Sequence, residues 1–149
     1  MIGPFRYNYY FLSNFYPVEL TAWGKKWPTA EHIYQAIKTT NLDEREMIRT
    51  CGTPGNAKRM GNVKHGVIHI REDWDALKED YMVRIIKIKF KAGTEMARLL
   101  LATGDEELVE VNWWHDQFWG RCICARCNNQ GHNRLGKILM DQRTRLRTP

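Results

Sequence analysis

The sequence predicts a single α+β domain over residues 1–149, predominantly α-helical with a small antiparallel sheet. Three observations predict it. A chain of 149 residues, 43% hydrophobic and 11% aromatic, can bury one good core but is too short for two ordinary domains. Most of its apolar-periodic stretches follow a residue that caps helices well. Strand character is confined to two short stretches, one of which doubles back at a glycine.

The elements follow in order. Val18 to Trp27 carry β-compatible side chains around Gly24-Lys25, a hairpin pattern that brings Trp23 and Trp27 close together. Pro28 and Thr29 punctuate, and Thr29 caps a helix predicted from Ala30 to Lys38, followed by another from Asp43 to Arg49. Pro54 opens a short helix through Ala57 and Lys58 that stops at Gly61. From Asp73 onward, Trp74, Leu77, Tyr81, Met82, Ile85 and Ile88 keep helical spacing, which predicts a core helix ending before Lys91-Ala92-Gly93. Thr94 caps the next helix, through Ala102 with Gly104 as its stop, and Leu108 to Val111 reads as a strand. Asn133 is placed to cap a last helix in which Leu135, Ile138, Leu139, Gln142 and Leu146 share a stripe, with basic residues around its other sides.

Composition excludes some functions. The longest apolar runs, such as Leu99-Leu100-Leu101, fall far short of the roughly 18 to 20 residues that cross a bilayer, and no basic stretch leads into an apolar one at the N-terminus. A soluble, cytoplasmic protein without membrane partners is expected. Of the cysteines Cys51, Cys122, Cys124 and Cys127, the last three crowd together, a poor layout for a disulfide framework and consistent with a reducing compartment. The net charge of +6 lies in residues 121–149, where Arg121, Arg126, Arg134, Lys137, Arg143, Arg145 and Arg147 face Asp141 alone. Such an end attracts phosphates, of a small nucleotide or of nucleic acid; the plainer alternative is a solvated helix face with a frayed tail.

Three clusters can carry chemistry. Glu31, Gln35 and Lys38 fall at i, i+4 and i+7, which puts three polar groups on one helix face while Ile33 and Ile37 form another. Glu31 sits in the first turn, where the helix dipole favours a carboxylate able to hold a ribose hydroxyl or act as a base. A lysine partly buried among aromatics loses proton affinity and becomes a candidate nucleophile. The alternative is a solvent-facing helix with an ordinary surface lysine. In residues 112–120, Trp113, Trp114, Phe118 and Trp119 surround His115 and Asp116, aromatic walls that suit a flat base or a sugar. The alternative there is a core loop in which Asp116 caps Trp119 or a neighbouring N–H. Cys122, Cys124 and Cys127, followed by His132, offer metal-capable atoms without the two separated pairs of a zinc ribbon, so packed reduced thiols are expected, with a structural zinc as the alternative.

Phe11-Leu12-Ser13-Asn14-Phe15-Tyr16-Pro17 is followed by a segment from Trp27 to Lys38 containing Glu31-His32. Next come Ala57-Lys58 with Gly61, Arg71-Glu72-Asp73-Trp74, Met82, Lys89-Phe90, Leu100, Thr103-Gly104 and Leu108-Val109-Glu110. Asp116 with Trp119-Gly120, residues 131–140 around Leu135-Gly136-Lys137, and Arg143 complete the series. Taken in this order, over nearly the whole chain, they resemble the YbiA-like, or NADAR, family. The resemblance implies the YbiA-like fold and hydrolysis of a ribosyl–nitrogen bond, in phosphorylated ribosylamino-pyrimidine intermediates of riboflavin synthesis or in ADP-ribose attached to guanine. It implies Glu31 and Asp116 as acid/base groups and Lys38 as the nucleophile of a Schiff-base route. Trp74 and Trp119 would wall the base or ribose, Asn14, Gln35 and Asn133 would orient polar groups, and Lys58 and Arg71 would meet phosphate.

Two routes are open: a carboxylate stabilising an oxocarbenium-like centre attacked by water, or an amine capturing the opened ribose. Neither needs a metal or a cofactor, and none is expected at the site. The cysteine-rich stretch departs from the family, many of whose members carry a short glycine-rich turn there. The basic tail favours the larger, more anionic substrate, ADP-ribosylated guanine, free or within nucleic acid. Two readings of other classes compete. A binding module for ADP-ribose would lack turnover, and a nucleic-acid binder using Arg126 to Arg147 would depend steeply on salt.

Overall fold

The computed structural model describes residues 1–148. The chain divides into two compact units, Asn14–Lys89 and a second made of Met1–Ser13 with the chain from Phe90 onward. Helices predominate and the antiparallel pair is small, as the sequence predicts.

The first unit opens with strands β1 (Leu20–Ala22) and β2 (Lys25–Trp27), antiparallel with Leu20 opposite Trp27. The turn is Trp23-Gly24, one residue earlier than expected, and both residues have positive φ (51° and 72°), the type I′ geometry that matches strand twist. Trp23 therefore sits in the turn and is exposed, whereas Trp27 is buried and donates its indole N–H to the Ala22 carbonyl at 2.9 Å. Helix α1 (Ala30–Ala36) begins at Thr29, whose hydroxyl accepts the His32 N–H. It ends two residues before Lys38, where the Lys38 carbonyl turns out to accept the Arg71 N–H at 2.7 Å. Helix α2 (Leu42–Arg49) is capped by Asn41, and α3 (Pro54–Met60) by Thr53 with Gly61 at its end. The longest element is α4 (Trp74–Lys89). α1 packs against α2, α3, α4 and β2, so all seven of its residues are buried.

In the second unit a 3-10 helix (Tyr7–Leu12) and α6 (Arg134–Arg147) both pack on α5 (Glu95–Leu101), whose cap is Thr94. Ile2 pairs with Leu108, while β3 (Val111–Asn112) and β4 (Arg121–Cys122) pair in parallel. The predicted strand at Leu108 to Val111 is thus split between two partners. Gly136 allows α6 to approach the Leu108 carbonyl, which a Cβ there would meet at 2.1 Å.

Two expectations about α6 need correction. Asn133 precedes the helix in a left-handed conformation and makes no capping bond. Instead its amide, 1% exposed, donates to the Leu108 carbonyl at 2.9 Å and accepts the Glu110 N–H at 3.0 Å. The basic residues do not all face solvent either. Arg143 is buried and donates to Thr103 Oγ1, whereas Arg147 pairs with Asp105 at the surface and Arg121, outside the helix, with Glu107. Among the described residues no helix is long and apolar enough to cross a membrane.

Candidate active site

Packing on several sides of α1 decides the fate of its polar stripe. Glu31, Gln35 and Lys38 are 7%, 3% and 8% exposed, which excludes the solvent-facing alternative. Burying three such groups is costly unless each is bonded, paired or held for a ligand. Gln35 Nε2 donates to Glu31 Oε1 at 2.7 Å, a charge-assisted bond across one helical turn. Lys38 Nζ donates to the Gly61 carbonyl at 3.1 Å and lies 5.2 Å and 6.0 Å from the ring centres of Tyr34 and Trp74. The Gln35 amide packs against Gly61, where a Cβ would fall 1.9 Å from Gln35 Oε1.

Two acceptors at this stripe have no hydrogen-bond partner among the described residues. They are the buried oxygens Asn14 Oδ1 and Gln35 Oε1. The Asn14 carbonyl accepts the Glu31 N–H at 3.0 Å, and its amide nitrogen faces Met82 Sδ at 3.5 Å. The segment before β1 is thereby tied to the first turn of α1. His32, the other half of the Glu31-His32 motif, serves the core: its Nδ1 lies 2.7 Å from Thr29 Oγ1, and burial lowers its pKa.

Electrostatics centre on Lys38. Burial lowers its pKa from 10.5 to about 8, opposed by Glu31 and assisted by repulsion from Lys78 and Lys58. Lys78, one turn along α4 from Trp74, is a member of this cluster that sequence spacing did not reveal. Lys58 lies 5.9 Å from the Phe15 ring centre. Arg71 is tied into the framework, with Nε on Asp73 Oδ1 at 2.6 Å and Nη1 near the Tyr81 hydroxyl at 3.5 Å. Trp74 meets Tyr34 edge-on at 5.3 Å and stacks with Tyr81 at 6.3 Å. The first unit thus brings together Asn14, Glu31, Gln35, Lys38, Lys58 and Trp74, with Arg71 bonded to the Lys38 carbonyl.

Asp116, Trp119 and Asn133 belong to the second unit. Asp116 Oδ1 accepts the N–H groups of Phe118 and Trp119 at 3.0 and 2.9 Å, the local turn that was the alternative to a site. Asn112, fully buried, accepts the Trp114 and Asp116 N–H groups and donates to the Asp116 carbonyl. Trp119 is half-buried and packs edge-on against Phe118 at 4.7 Å. Asn133 has both amide ends on backbone, which makes it a brace for residues 108–110.

Known proteins resemble this chain in sequence and in fold. A family model described as the NADAR domain matches residues 4–147. The N-glycosidase YbiA of Shigella boydii serotype 4 is 38% identical over 134 residues, 90% of this chain and 79% of the relative. A riboflavin biosynthesis protein of Vibrio vulnificus is 37% identical over 139 residues, 93% of this chain and 36% of that longer protein. The NMR structure of Escherichia coli YbiA matches with a TM-score of 0.81 at 35% identity, covering 98% of this chain and 83% of that one. The chain belongs to the NADAR domain family.

Proposed function

We propose that this N-glycosidase releases ADP-ribose from ADP-ribosylated guanine, free or within nucleic acid, using the buried stripe of α1. The observation that carries the reading is that stripe itself. A carboxylate, an amide and an amine share one buried face beside aromatic rings, with two orphaned acceptor oxygens, Asn14 Oδ1 and Gln35 Oε1, suited to ribose hydroxyls. Glu31, oriented by Gln35, stabilises positive charge developing at the anomeric carbon. Lys38 titrates near neutrality, so a useful fraction is neutral at working pH.

In the covalent route the Lys38 amine attacks the anomeric carbon as the bond to the base nitrogen breaks, and the leaving base takes up a proton. Opening of the ribose ring gives an imine to lysine, and water then releases the sugar and restores the amine. In the direct route a water assisted by Glu31 attacks instead. We assign phosphate contact to Lys58, which acts on the Lys38 ammonium as Lys78 does, Lys78 being also paired with Asp75 at 3.4 Å. Arg71, whose guanidinium is engaged by Asp73 and Tyr81, is proposed as a second phosphate contact on the family motif. Asp116 is proposed as the second acid/base group, and Trp119 as an aromatic wall, on the family motif they share. We take the whole chain as one working domain, and its cysteine layout supports a cytoplasmic setting.

The second reading, cleavage of a phosphorylated ribosylamino-pyrimidine, is favoured by the relative named for riboflavin biosynthesis. The ion pairs of Arg121 and Arg147 and the burial of Arg143 also weaken the basic tail as an argument for the larger anion. A product assay by mass spectrometry decides between them. Free ADP-ribose from ADP-ribosylated guanosine or DNA is the expected result. Ribose 5-phosphate from the ribosylamino-pyrimidine phosphate alone would move the enzyme to the second reading. Tight ADP-ribose binding with neither cleavage would make the chain a binding module.

A further inference from the structure

Around β4 the chain gathers four side chains that the hydrolytic reading does not use. His115, Cys122, Cys124 and Cys127 bring one ligand atom each to within 4.8 Å of all the others. His115 Nδ1 lies 3.2 Å from Cys127 Sγ, 3.4 Å from Cys124 Sγ and 3.9 Å from Cys122 Sγ. Zinc bonds of about 2.3 Å to sulfur and about 2.0 Å to nitrogen put ligand atoms about 3.5–3.8 Å apart at the corners of a tetrahedron. The three nitrogen–sulfur distances bracket that value. Hydrogen bonding accounts for them poorly, since Nδ1 has a single lone pair or a single proton and cannot serve three sulfurs at once.

The backbone is arranged for the same centre. The His115 N–H points at Cys122 Sγ (3.3 Å) and the Cys127 N–H at Cys124 Sγ (3.4 Å), the kind of donors that orient and support thiolate ligands. His115 is held in the left-handed region at φ 71°, a conformation that persists in a non-glycine residue only where its surroundings enforce it. Asn128 and Asn129, at φ 51° and 63°, turn the chain after Cys127 so that Gln130 pairs back onto Cys122. His132, which follows the cysteines in sequence, is not one of the four; its N–H bonds instead to the Gln117 carbonyl.

We infer that His115, Cys122, Cys124 and Cys127 bind one zinc ion in a closed, tetrahedral, structural site that braces residues 112–130. Three soft thiolates and an imidazole suit zinc, and four protein ligands leave no open position for a substrate. The ion ties His115, next to Asp116, to the cysteine turn, so it stiffens the segment that carries Asp116 and Trp119.

The test is metal analysis of the full chain purified without chelator, by mass spectrometry of the bound elements. One zinc per chain is expected in wild type and in Cys51→Ser, with loss of that zinc in Cys124→Ser and His115→Ala. Because a ligand variant can misfold, wild type is also reconstituted with cobalt(II), where the intense visible bands and sulfur charge transfer of tetrahedral thiolate cobalt are expected. Hydrogen exchange after chelation should rise in residues 112–130 and stay unchanged in residues 30–61. The inference is overturned by a chain that binds neither zinc nor cobalt with all four thiols free, by a disulfide among Cys122, Cys124 and Cys127, or by iron in place of zinc. None of these readouts involves glycosidase activity, so the zinc site and the proposed reaction stand or fall separately.

Discussion

The α1 stripe and the loop from Asn112 to Asn133 both bury polar side chains, yet they use them in opposite ways. Around Asn112 and Asn133 the buried side-chain amides are engaged with backbone groups of their own neighbourhood. Such groups specify a loop conformation and leave little for a ligand. Glu31 and Gln35 sit in a regular helix that needs nothing from them, with Lys38 just past its end, and two nearby acceptors, Asn14 Oδ1 and Gln35 Oε1, are unpartnered among the described residues. Desolvation there lowers the Lys38 pKa instead of being offset by tight pairing. Buried polarity that is saturated supports structure, and buried polarity left partly open supports binding and catalysis.

That contrast can be broken by substitution, beginning with the amine. Lys38→Ala is expected to lower kcat/KM by at least about 100-fold while thermal unfolding stays cooperative. Borohydride added during turnover should trap a ribosyl adduct on wild type and none on this variant. An untrappable wild type would move the chemistry to direct attack by water and leave Lys38 an electrostatic role.

Asn133→Ala should do the reverse. It strands the Leu108 carbonyl and the Glu110 N–H in the interior, at a cost of about 2 kcal/mol or more, seen as a lower urea midpoint. Activity per folded molecule should change little. A large loss of kcat in a fully folded Asn133→Ala protein would return this residue to the substrate and blur the comparison.

The smallest effect is in pH dependence. With a folded pKa of about 8 against an ordinary 10.5, folded Lys38 loses its proton first as pH rises, so the unfolded chain binds more protons in that window. This group's penalty on stability is therefore fully present below pH 8 and relieved between pH 8 and 10.5. Lys38→Met, which keeps the stem without the charge, should gain stability over wild type at pH 7, with the gap narrowing by pH 10. A gap independent of pH would mean that the amine is not desolvated.

Legibility divides along the same line. Thr29, Pro54 with Gly61, and Thr94 with Gly104 mark their helices because caps and stops act within one turn of chain. The spacing of Glu31, Gln35 and Lys38 was readable for the same reason, although whether that face met water depended on α2, α3 and α4 packing around it. Lys78 joined the cluster only through the approach of α4 to α1. In the loop, sequence order says less. Asn133 looked like a cap but its side chain reaches back to Leu108 and Glu110, and His132 followed the cysteines while His115 met them. The parallel pairing of Val111–Asn112 with Arg121–Cys122 sets these contacts, and no local pattern announces a two-residue parallel ladder.

The most direct test of the central claim is Glu31→Gln, assayed for release of the sugar from its base under single-turnover conditions. The substitution keeps the size of the side chain and its place beside Gln35 while removing the charge. The account predicts substrate binding within a few-fold of wild type and cleavage slowed by about 100-fold or more. Cleavage at the wild-type rate would contradict it and place the reaction away from the α1 stripe.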